Sequence, residues 1–556
     1  MKKLYILIFS FFTLVTLSGC SDLLNTESDL VEFEDDNTLD NPTDSVYSLM
    51  GIYYRMQQIA DRQILLGEAR GDLVTPTESA SADLKRLAAF DFSGTNKYNA
   101  VSDYYAVINN CNYYLAHVDT ALQRRGRLLF REEYAAVKTY RAWTYLQLVK
   151  AYGRVPLVLT PIVTEQQATE AMNLSYKSIQ EICDYFIADL TPYAQLESPT
   201  FTKGSVLYFP TRLVLGDLCL WAGRYQEAAT WYHDYLNDKK EPVTPALGSI
   251  YWYDPADYTV LMDGYSGMAI DRYTISGIQM ESRQFDGVVS DLPNVFNSTR
   301  ENNYFFQLTP SEGMLKLSKD QTFCMLYRSS DTAPADTIYA PRTGLRSNIA
   351  VGDLRLYANY SYSSSGTQSE YSDYSSTIQS ISKVSYYSLC IPTYRVPLIY
   401  LHYAEALNRC GLPTSAMAVL KYGLCRDNLK YVDSLEQVRA GQLIQFDNNV
   451  FTQNTVLGVH SLGSGNADAD SLYAIRLTNP SPTRQDSIDY VENLIVNELA
   501  LEGAFEGNRF YDLMRVALRR NDPAYLADPL SKRNGTVDGA LRSRLMNPQN
   551  WYLPLP

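Results

Sequence analysis

The chain is 556 residues long, 46% hydrophobic and 20% charged, a balance that excludes intrinsic disorder and a length that exceeds one ordinary core. It therefore reads as two or more lobes or one elongated repeat array. Acidic residues outnumber basic ones by 62 to 48, which excludes nucleic acid, whose binders carry a basic footprint, and electrostatic docking on anionic lipid.

The first residues form a targeting segment. Lys2 and Lys3 make a short positive start, and Leu4 to Leu17 is apolar apart from Ser10, Thr13 and Thr16. That stretch is too short to span a bilayer comfortably. It ends in Leu17-Ser18-Gly19-Cys20, small residues before a cysteine in the pattern of a bacterial lipobox, so Cys20 is expected to become the lipidated N-terminus. Cleavage there removes both lysines, leaving 46 basic residues against 62 acidic ones and a net charge of −16. More than one acyl chain holds stably, and no later stretch is long and apolar enough to cross a membrane. The body is expected to stand outside the bilayer on a polar, acidic tether that reaches about Asn41.

Seven cysteines remain (Cys111, Cys183, Cys219, Cys324, Cys390, Cys410 and Cys425), an odd number without a C-x-x-C, mostly inside apolar runs. They read as buried free thiols rather than a disulfide framework. The four histidines, His117, His233, His402 and His460, lack metal-ligand spacing, and no metal or cofactor is expected.

From Pro42 the pattern turns helical, with Asp44 or Ser45 as a candidate cap. Residues 67–97 look like a loop and contain Arg70-Gly71-Asp72, a chance match to an integrin-type tripeptide. Helical runs follow at Tyr98–Ala121 and Arg131–Tyr152. The second is apolar almost all round, as in a helix packed on both sides within a stacked array, and Gly153 stops it before the extended Val155-Pro156-Leu157-Val158. Tyr176–Tyr193 is also helical. Leu213–Leu236 and Tyr400–Leu424 each show a helical stripe, a glycine turn at Gly223 or Gly411, and alanines on the return, the signature of a tetratricopeptide-like unit. Between them, roughly Glu241 to Ile391, periodicity gives way to Tyr, Ser, Gly and Asp, with strand-like runs at Asn303–Leu308 and Lys383–Leu389 and a Tyr/Ser patch at Tyr357–Tyr374. A second irregular stretch spans about Ala440 to Ser487. Then comes Glu498–Arg515, ELALEGAFEGNRFYDLMR, in which Glu498, Glu502 and Glu506 recur every four residues and would form one acidic row on a helix.

Several of these motifs occur in an order that resembles the SusD/RagB family of nutrient-binding outer-membrane lipoproteins of Bacteroidetes. They are the lipobox with Cys20-Ser21-Asp22-Leu23-Leu24, TYRAWTYLQLVKAYGRVPLV, YLHYAEALNRCG, ELALEGAFEGNRFYDLMR and the closing WYLPLP. The resemblance implies a mainly α fold, in which tetratricopeptide-like helical pairs form a scaffold for a large, irregular, loop-rich ligand-binding insertion. The expected division is a signal peptide at 1–19, lipidated cysteine and tether at 20–41, an N-terminal helical region at 42–240, an irregular insertion at 241–391, a further helical pair at 392–430, and a C-terminal irregular region with the signature helix at 431–556. It also implies a lid-like place over a SusC-like TonB-dependent transporter, and capture of an oligosaccharide, or alternatively an oligopeptide, at the cell surface. A scaffold lipoprotein that holds only protein partners is a further alternative.

Ligand contacts in that family come from the N-terminal irregular region and the insertion, which by position points to Asp72, Thr75, Phe90, Asp91, Asn96, Tyr98, Tyr304 and Phe305. The chain departs from glycan-binding members in tryptophan. Trp143, Trp221 and Trp231 fall in helical runs, which leaves Trp252 and Trp551, so the 45 tyrosines must supply stacking. Catalysis is not expected. Glu502 and Glu506 could pair as glycosidase carboxylates, but Glu–Arg pairs on a partly buried helix are the commoner arrangement. There is no G-x-S-x-G, H-E-x-x-H or P-loop. Glu502, Glu506 and Arg509 are expected to be satisfied internally, locking the C-terminal helix to the repeats.

Overall fold

A computed structural model describes Leu39 and residues 42–196, 203–244, 273–296, 306–327 and 389–555, with short pieces between them (251–252, 260–261, 330, 332–340, 352–353, 355, 360–362, 378–381 and 383). Cys20, Tyr304, Phe305 and most of the Tyr357–Tyr374 patch lie outside the described residues. The principal helices are α1 (Pro42–Glu68), α2 (Ala82–Ala88), α3 (Val101–His117), α4 (Arg131–Tyr152), α5 (Glu165–Met172), α6 (Ile179–Leu190), α7 (Thr211–Trp221), α8 (Tyr225–Lys239), α9 (Val396–Arg409), α10 (Pro413–Lys421), α11 (Arg484–Glu502), α12 (Arg509–Arg520), α13 (Ala524–Lys532) and α14 (Gly539–Leu545). Short strands accompany them: β1 (Val74–Pro76), β2 (Arg154–Pro156), β3 (Tyr176–Ser178), β4 (Thr274–Gln279), β5 (Leu308–Pro310) and β6 (Cys390–Arg395).

The helices stack in sequence neighbours, α3 on α4, α6 on α7, α7 on α8 and α9 on α10, and α8 carries the array across to α9. This is the mainly α, tetratricopeptide-like scaffold that the glycine-turn units imply. The reason is visible in α4, where every residue from Val137 to Tyr152 is buried, because α3 covers one side and α6 and α7 the other. One core runs from Leu39 through the array to Leu553. A second gathers Phe90, Phe510, Leu530, Leu545 and Trp551 around α12–α14. The seven cysteines are free, and Cys111, Cys183, Cys219, Cys324 and Cys425 are buried. Trp551 is fully buried with its indole N–H donating to the Leu545 carbonyl at 2.7 Å, so it is no stacking surface.

Local boundaries differ from the sequence reading where polar chemistry intervenes. Helix α1 begins at Pro42, so Asp44 sits in its first turn, and the Ser45 hydroxyl bonds Tyr114 Oη at 2.9 Å instead of capping. The loop-like stretch 67–97 contains β1 and α2. The Ser81 side chain caps α2 by accepting from the Leu84 amide. Tyr176 to Ser178 form a strand, and Ser178 and Glu181 then close a capping box that starts α6. Most of the strand expected at Lys383–Leu389 lies outside the described residues, and β6, which follows from Cys390, pairs antiparallel with β4. Arg70 and Asp72 are both buried, so the tripeptide is internal.

The largest correction concerns Glu498–Arg515, which is two helices and not one. Helix α11 ends at Glu502, α12 starts at Arg509, and a turn through Gly503 and Gly507 lies between them. Gly507 has φ +80°, and a side chain on Gly67, in the last turn of α1, would meet the Gly507 carbonyl at 1.7 Å. Two glycines thus let backbone cross backbone, which no other residue pair permits.

Candidate ligand-binding cleft

The acidic row survives the break. Glu498 and Glu502 on α11 and Glu506 in the turn converge on one buried set of cations. Arg355 spans Asp353 (2.6 Å), Glu498 (2.6 Å) and Glu502 (3.0 Å). Arg395 reaches Glu502 at 2.9 Å and Glu506 at 2.5 Å, Lys383 meets Glu506 at 2.7 Å, and His460 Nδ1 lies 2.8 Å from Glu498. Burial alone would raise the Glu498 carboxyl, but Arg355 first and His460 second outweigh it and hold the group down to about 2. Further along, Arg509 forks onto Asp72 at 2.6 and 2.9 Å, and Arg515 forks onto Glu405 at 2.9 and 2.6 Å. These carboxylates are occupied by the scaffold's own cations.

An open cleft of about 840 Å³ lies on the described surface, within the range of ligand pockets, roughly 300–1,000 Å³. Three chain segments wall it. The first is the stretch after α2, Phe90 to Phe92. The second is the end of α4 with the β2–β3 hairpin, where Arg154 pairs with Ser178 and Pro156 with Tyr176. The third is Arg544 on α14 together with the C-terminal tail from Gln549 to Leu555. The tail is tied down at both sides, by the Leu553 amide donating to Ala151 O at 2.9 Å and Asn99 Nδ2 donating to Pro554 O at 3.1 Å.

Gly153 is the hinge of this assembly. It caps α4 with φ +77°, and the ring of Tyr552 rests where its Cβ would stand, 2.9 Å away. Any other residue would be strained there and would push the tail off the helix. The rim mixes rings and polar groups. Tyr176 is 46% exposed, Phe92 and Tyr552 are partly exposed, and Gln180, Gln549 and Asn550 offer amides. Arg154 donates to Tyr176 O at 2.9 Å, and Arg544 donates to Ala89 O at 2.5 Å. Asp91 accepts from the Ser93 hydroxyl (2.7 Å) and the Ser93 amide (3.2 Å), bonds that hold its carboxyl below the usual range.

Of the residues expected from sequence, the cleft gathers Phe90 and Asp91. Phe90 is 3% exposed and packs its ring on Phe510 at 5.5 Å, shaping the wall from behind. Asp72 is taken up by Arg509. Thr75 lies in β1 opposite Thr309 of β5, and the same seam continues where Thr77 N donates to Gln307 O at 3.0 Å. Asn96 spans the Asp83 carbonyl (2.9 Å) and the Tyr98 amide (2.9 Å). Tyr98 is buried, and burial raises its hydroxyl well above the ordinary range. The N-terminal loop and the insertion do meet, but through backbone pairing at 74–77 and 307–310. Arg154, Tyr176, Arg544 and Tyr552 were not singled out from sequence. The local signals were the helix stop at Gly153 and the terminal WYLPLP, and only the fold brings them together.

Two smaller spaces differ in kind. An enclosed cavity of about 80 Å³ between α4, α9 and α12 is lined by Gln147, Lys150, Asp217 and His402, with burial pushing the Lys150 ammonium down to about 8. It has room for a few water molecules at about 30 Å³ each, not for an oligomer. A groove of about 220 Å³ beside α5, with Tyr105, Ile108, Pro156 and Met172, is almost wholly apolar.

Residues 295–556 match the sequence model of the SusD family. The fold is similar to a SusD superfamily protein from Bacteroides vulgatus ATCC 8482, at 15% identity over 93% of this chain and 96% of that one, with TM-score 0.57. It is also similar to a SusD superfamily protein from Bacteroides thetaiotaomicron VPI-5482, at 14% identity over 92% and 96% of the two chains, with TM-score 0.55. A third similar structure, a protein of Bacteroides vulgatus ATCC 8482 with a provisional sugar-binding description, has 17% identity over 86% and 88%, with TM-score 0.52. At such identities the likeness establishes the fold. No curated protein matches the chain.

Proposed function

We propose, from the premise that the chain belongs to the SusD family through residues 295–556, that it is a cell-surface lipoprotein that captures an oligosaccharide and passes it to a SusC-like TonB-dependent transporter. The observation that carries this reading is the cleft of about 840 Å³, whose exposed tyrosine, amides and guanidinium groups suit a saccharide. A flat ring covers the apolar face of a sugar, and planar amide and guanidinium donors bond its hydroxyl edges. The sugar-binding description of one structural neighbour supports the same class. Cys20 provides the anchor to the outer membrane, and the acidic body stands on its exterior face. Asp91 would bond the ligand and Phe90 backs the wall, while Thr75, Asn96 and Tyr98 belong to the neighbouring N-terminal segment and Tyr304 and Phe305 lie outside the described residues. Binding rather than hydrolysis is favoured because the carboxylate row at Glu498, Glu502 and Glu506 is matched by Arg355, Arg395, Lys383 and His460.

Calorimetry of the mature chain against oligosaccharide and oligopeptide mixtures tests the ligand class. Heat with saccharides that falls at least about tenfold in affinity in Tyr176→Ala supports the reading; loss of one good stacking contact is worth about 1.4 kcal/mol. Binding to peptides alone overturns it. Cys20→Ala is expected to move the protein from membranes to the soluble fraction. Co-purification of a large β-barrel with the wild type supports the transporter partnership, and its absence from gently solubilised membranes speaks for a scaffold lipoprotein instead.

A further inference from the structure

Guanidinium groups elsewhere on this chain mostly have carboxylate partners. Arg62 has Asp103, Arg86 has Asp83, Arg212 has Asp238, and Arg224 has Glu227. Arg154 and Arg544 are different. Both are exposed, both line the cleft, and each is pinned by one backbone carbonyl, Tyr176 O and Ala89 O. Neither forms an ion pair with a carboxylate of the described residues. A carbonyl fixes the orientation of a guanidinium while leaving its charge unneutralised and its remaining N–H groups available. Among the described residues the one acid lining the cleft is Asp91, which is held by Ser93 and also feels the charge of Arg544, so Arg154 is the less matched of the two cations. The cleft therefore carries two oriented cations against one engaged anion, on a protein whose net charge is −14. A general acidic field repels anionic ligands, so a local cationic excess in this open cleft is the arrangement that selects them.

We infer that the cleft takes a carboxylate-bearing oligosaccharide, with the Arg154 and Arg544 guanidinium groups on the ligand's acid groups and the Tyr176 and Tyr552 rings on its sugar faces. This rests on the saccharide reading above and deepens it. A carboxylate matches the fork of a guanidinium in a way that a hydroxyl does not, and a charge-assisted bond is about twice as strong as a neutral one. Rings and amides on the same rim speak for a sugar chain over an acidic peptide.

The test is a glycan array carrying uronate- and sialate-bearing chains beside neutral ones, followed by calorimetry of the strongest binder, its methyl ester and a short poly-glutamate. The expected result is that acid-bearing glycans dominate the array. Arg154→Gln and Arg544→Gln should each weaken the acid form about tenfold and the ester by much less, since only a neutral hydroxyl bond is lost there, and Tyr176→Ala should weaken both forms equally. Acid and ester binding alike, with both arginine variants silent and Tyr176→Ala still weakening both, overturns the acidic class and leaves the saccharide reading standing. An array without binders, or poly-glutamate binding that depends on the arginines, overturns both. Both arginines are exposed, so folding of the variants is expected and is checked by circular dichroism.

Discussion

Arginines meet carboxylates in two regions of this molecule, and the two meetings are built differently. Beneath α11 and α12, Arg355 and Arg395 are 1% exposed and fork onto Asp353, Glu498, Glu502 and Glu506. In the cleft, Arg154 and Arg544 are exposed and hydrogen-bond to backbone carbonyls, with no ion pair to a carboxylate among the described residues. A buried charge must be matched where it lies, because desolvation is costly, so its partners are spent on the fold. An exposed charge oriented by a neutral group keeps its attraction for something else. The region richest in acid–base residues is thus the scaffold, and the sparser one is the candidate site.

The largest effect should come from breaking the buried set. Arg395→Met leaves Glu502 and Glu506 short of a partner in a dry interior and should cost about 3–5 kcal/mol, read as a lower denaturation midpoint. If the midpoint is unmoved, the cluster does not hold the fold.

Next comes pH, where two buried carboxylates should pull in opposite directions. Glu498 is held down to about 2 in the fold against an ordinary value of 4.5. Its contribution is present above pH 4.5 and is lost as pH falls toward 2, about 3 kcal/mol in all. Glu68 accepts the Gly507 amide at 2.8 Å and has no cation within ion-pair distance among the described residues, and burial pushes it up to about 8. The stability it contributes is present below pH 4.5 and is lost as pH rises through 8. Glu498→Gln should therefore differ from wild type at pH 7 and converge with it at pH 2–3, as seen by urea melts. Glu68→Gln should match wild type near pH 5 and exceed it near pH 9. Parallel pH profiles for the two variants would remove the distinction between matched and unmatched burial.

Arg509→Ala breaks the fork onto Asp72 nearer the protein's edge and should cost about 2 kcal/mol without changing cleft affinity at temperatures where the variant is folded. Gly153→Ala probes the junction of the two regions. The positive φ and the Tyr552 ring at 2.9 Å predict about 1.5 kcal/mol of destabilisation, together with weaker saccharide binding, because the tail wall is displaced. Loss of stability with unchanged binding would detach the tail from the site.

The helical scaffold was legible in the sequence because stacked helices must bury predictable faces. Arg131–Tyr152 is apolar nearly all round, and the structure buries it nearly all round. The break inside ELALEGAFEGNRFYDLMR was harder, since the four-residue spacing of its acids continues across Gly503 and Gly507 as if the helix did. The glycines were the signal, and Gly507 is required by a close approach to Gly67 more than four hundred residues away. Phe90 and Tyr98 fall among the candidate contacts by their position in the chain, but tertiary packing buries both, Phe90 against Phe510. The cleft itself had only punctuation to announce it. Gly153 and WYLPLP are each readable, but nothing local says that one seats the other.

The smallest expected effect on stability is the sharpest use of the comparison. Arg154→Gln removes a cation that neutralises nothing in the fold and gives up one carbonyl bond that glutamine's amide can in part replace. Surface substitutions of this kind change stability by about 0.5 kcal/mol or less. The denaturation midpoint should therefore stay in place while affinity for an acidic saccharide falls and its salt dependence flattens, because one fewer charge is screened. Arg395→Met should show the reverse, a lowered midpoint with affinity retained in the folded fraction. If instead Arg154→Gln shifts the midpoint by as much as Arg395→Met does, the guanidinium in the cleft is holding the β2–β3 hairpin against α6, and the division between charges spent on the fold and charges left for a ligand does not exist in this protein.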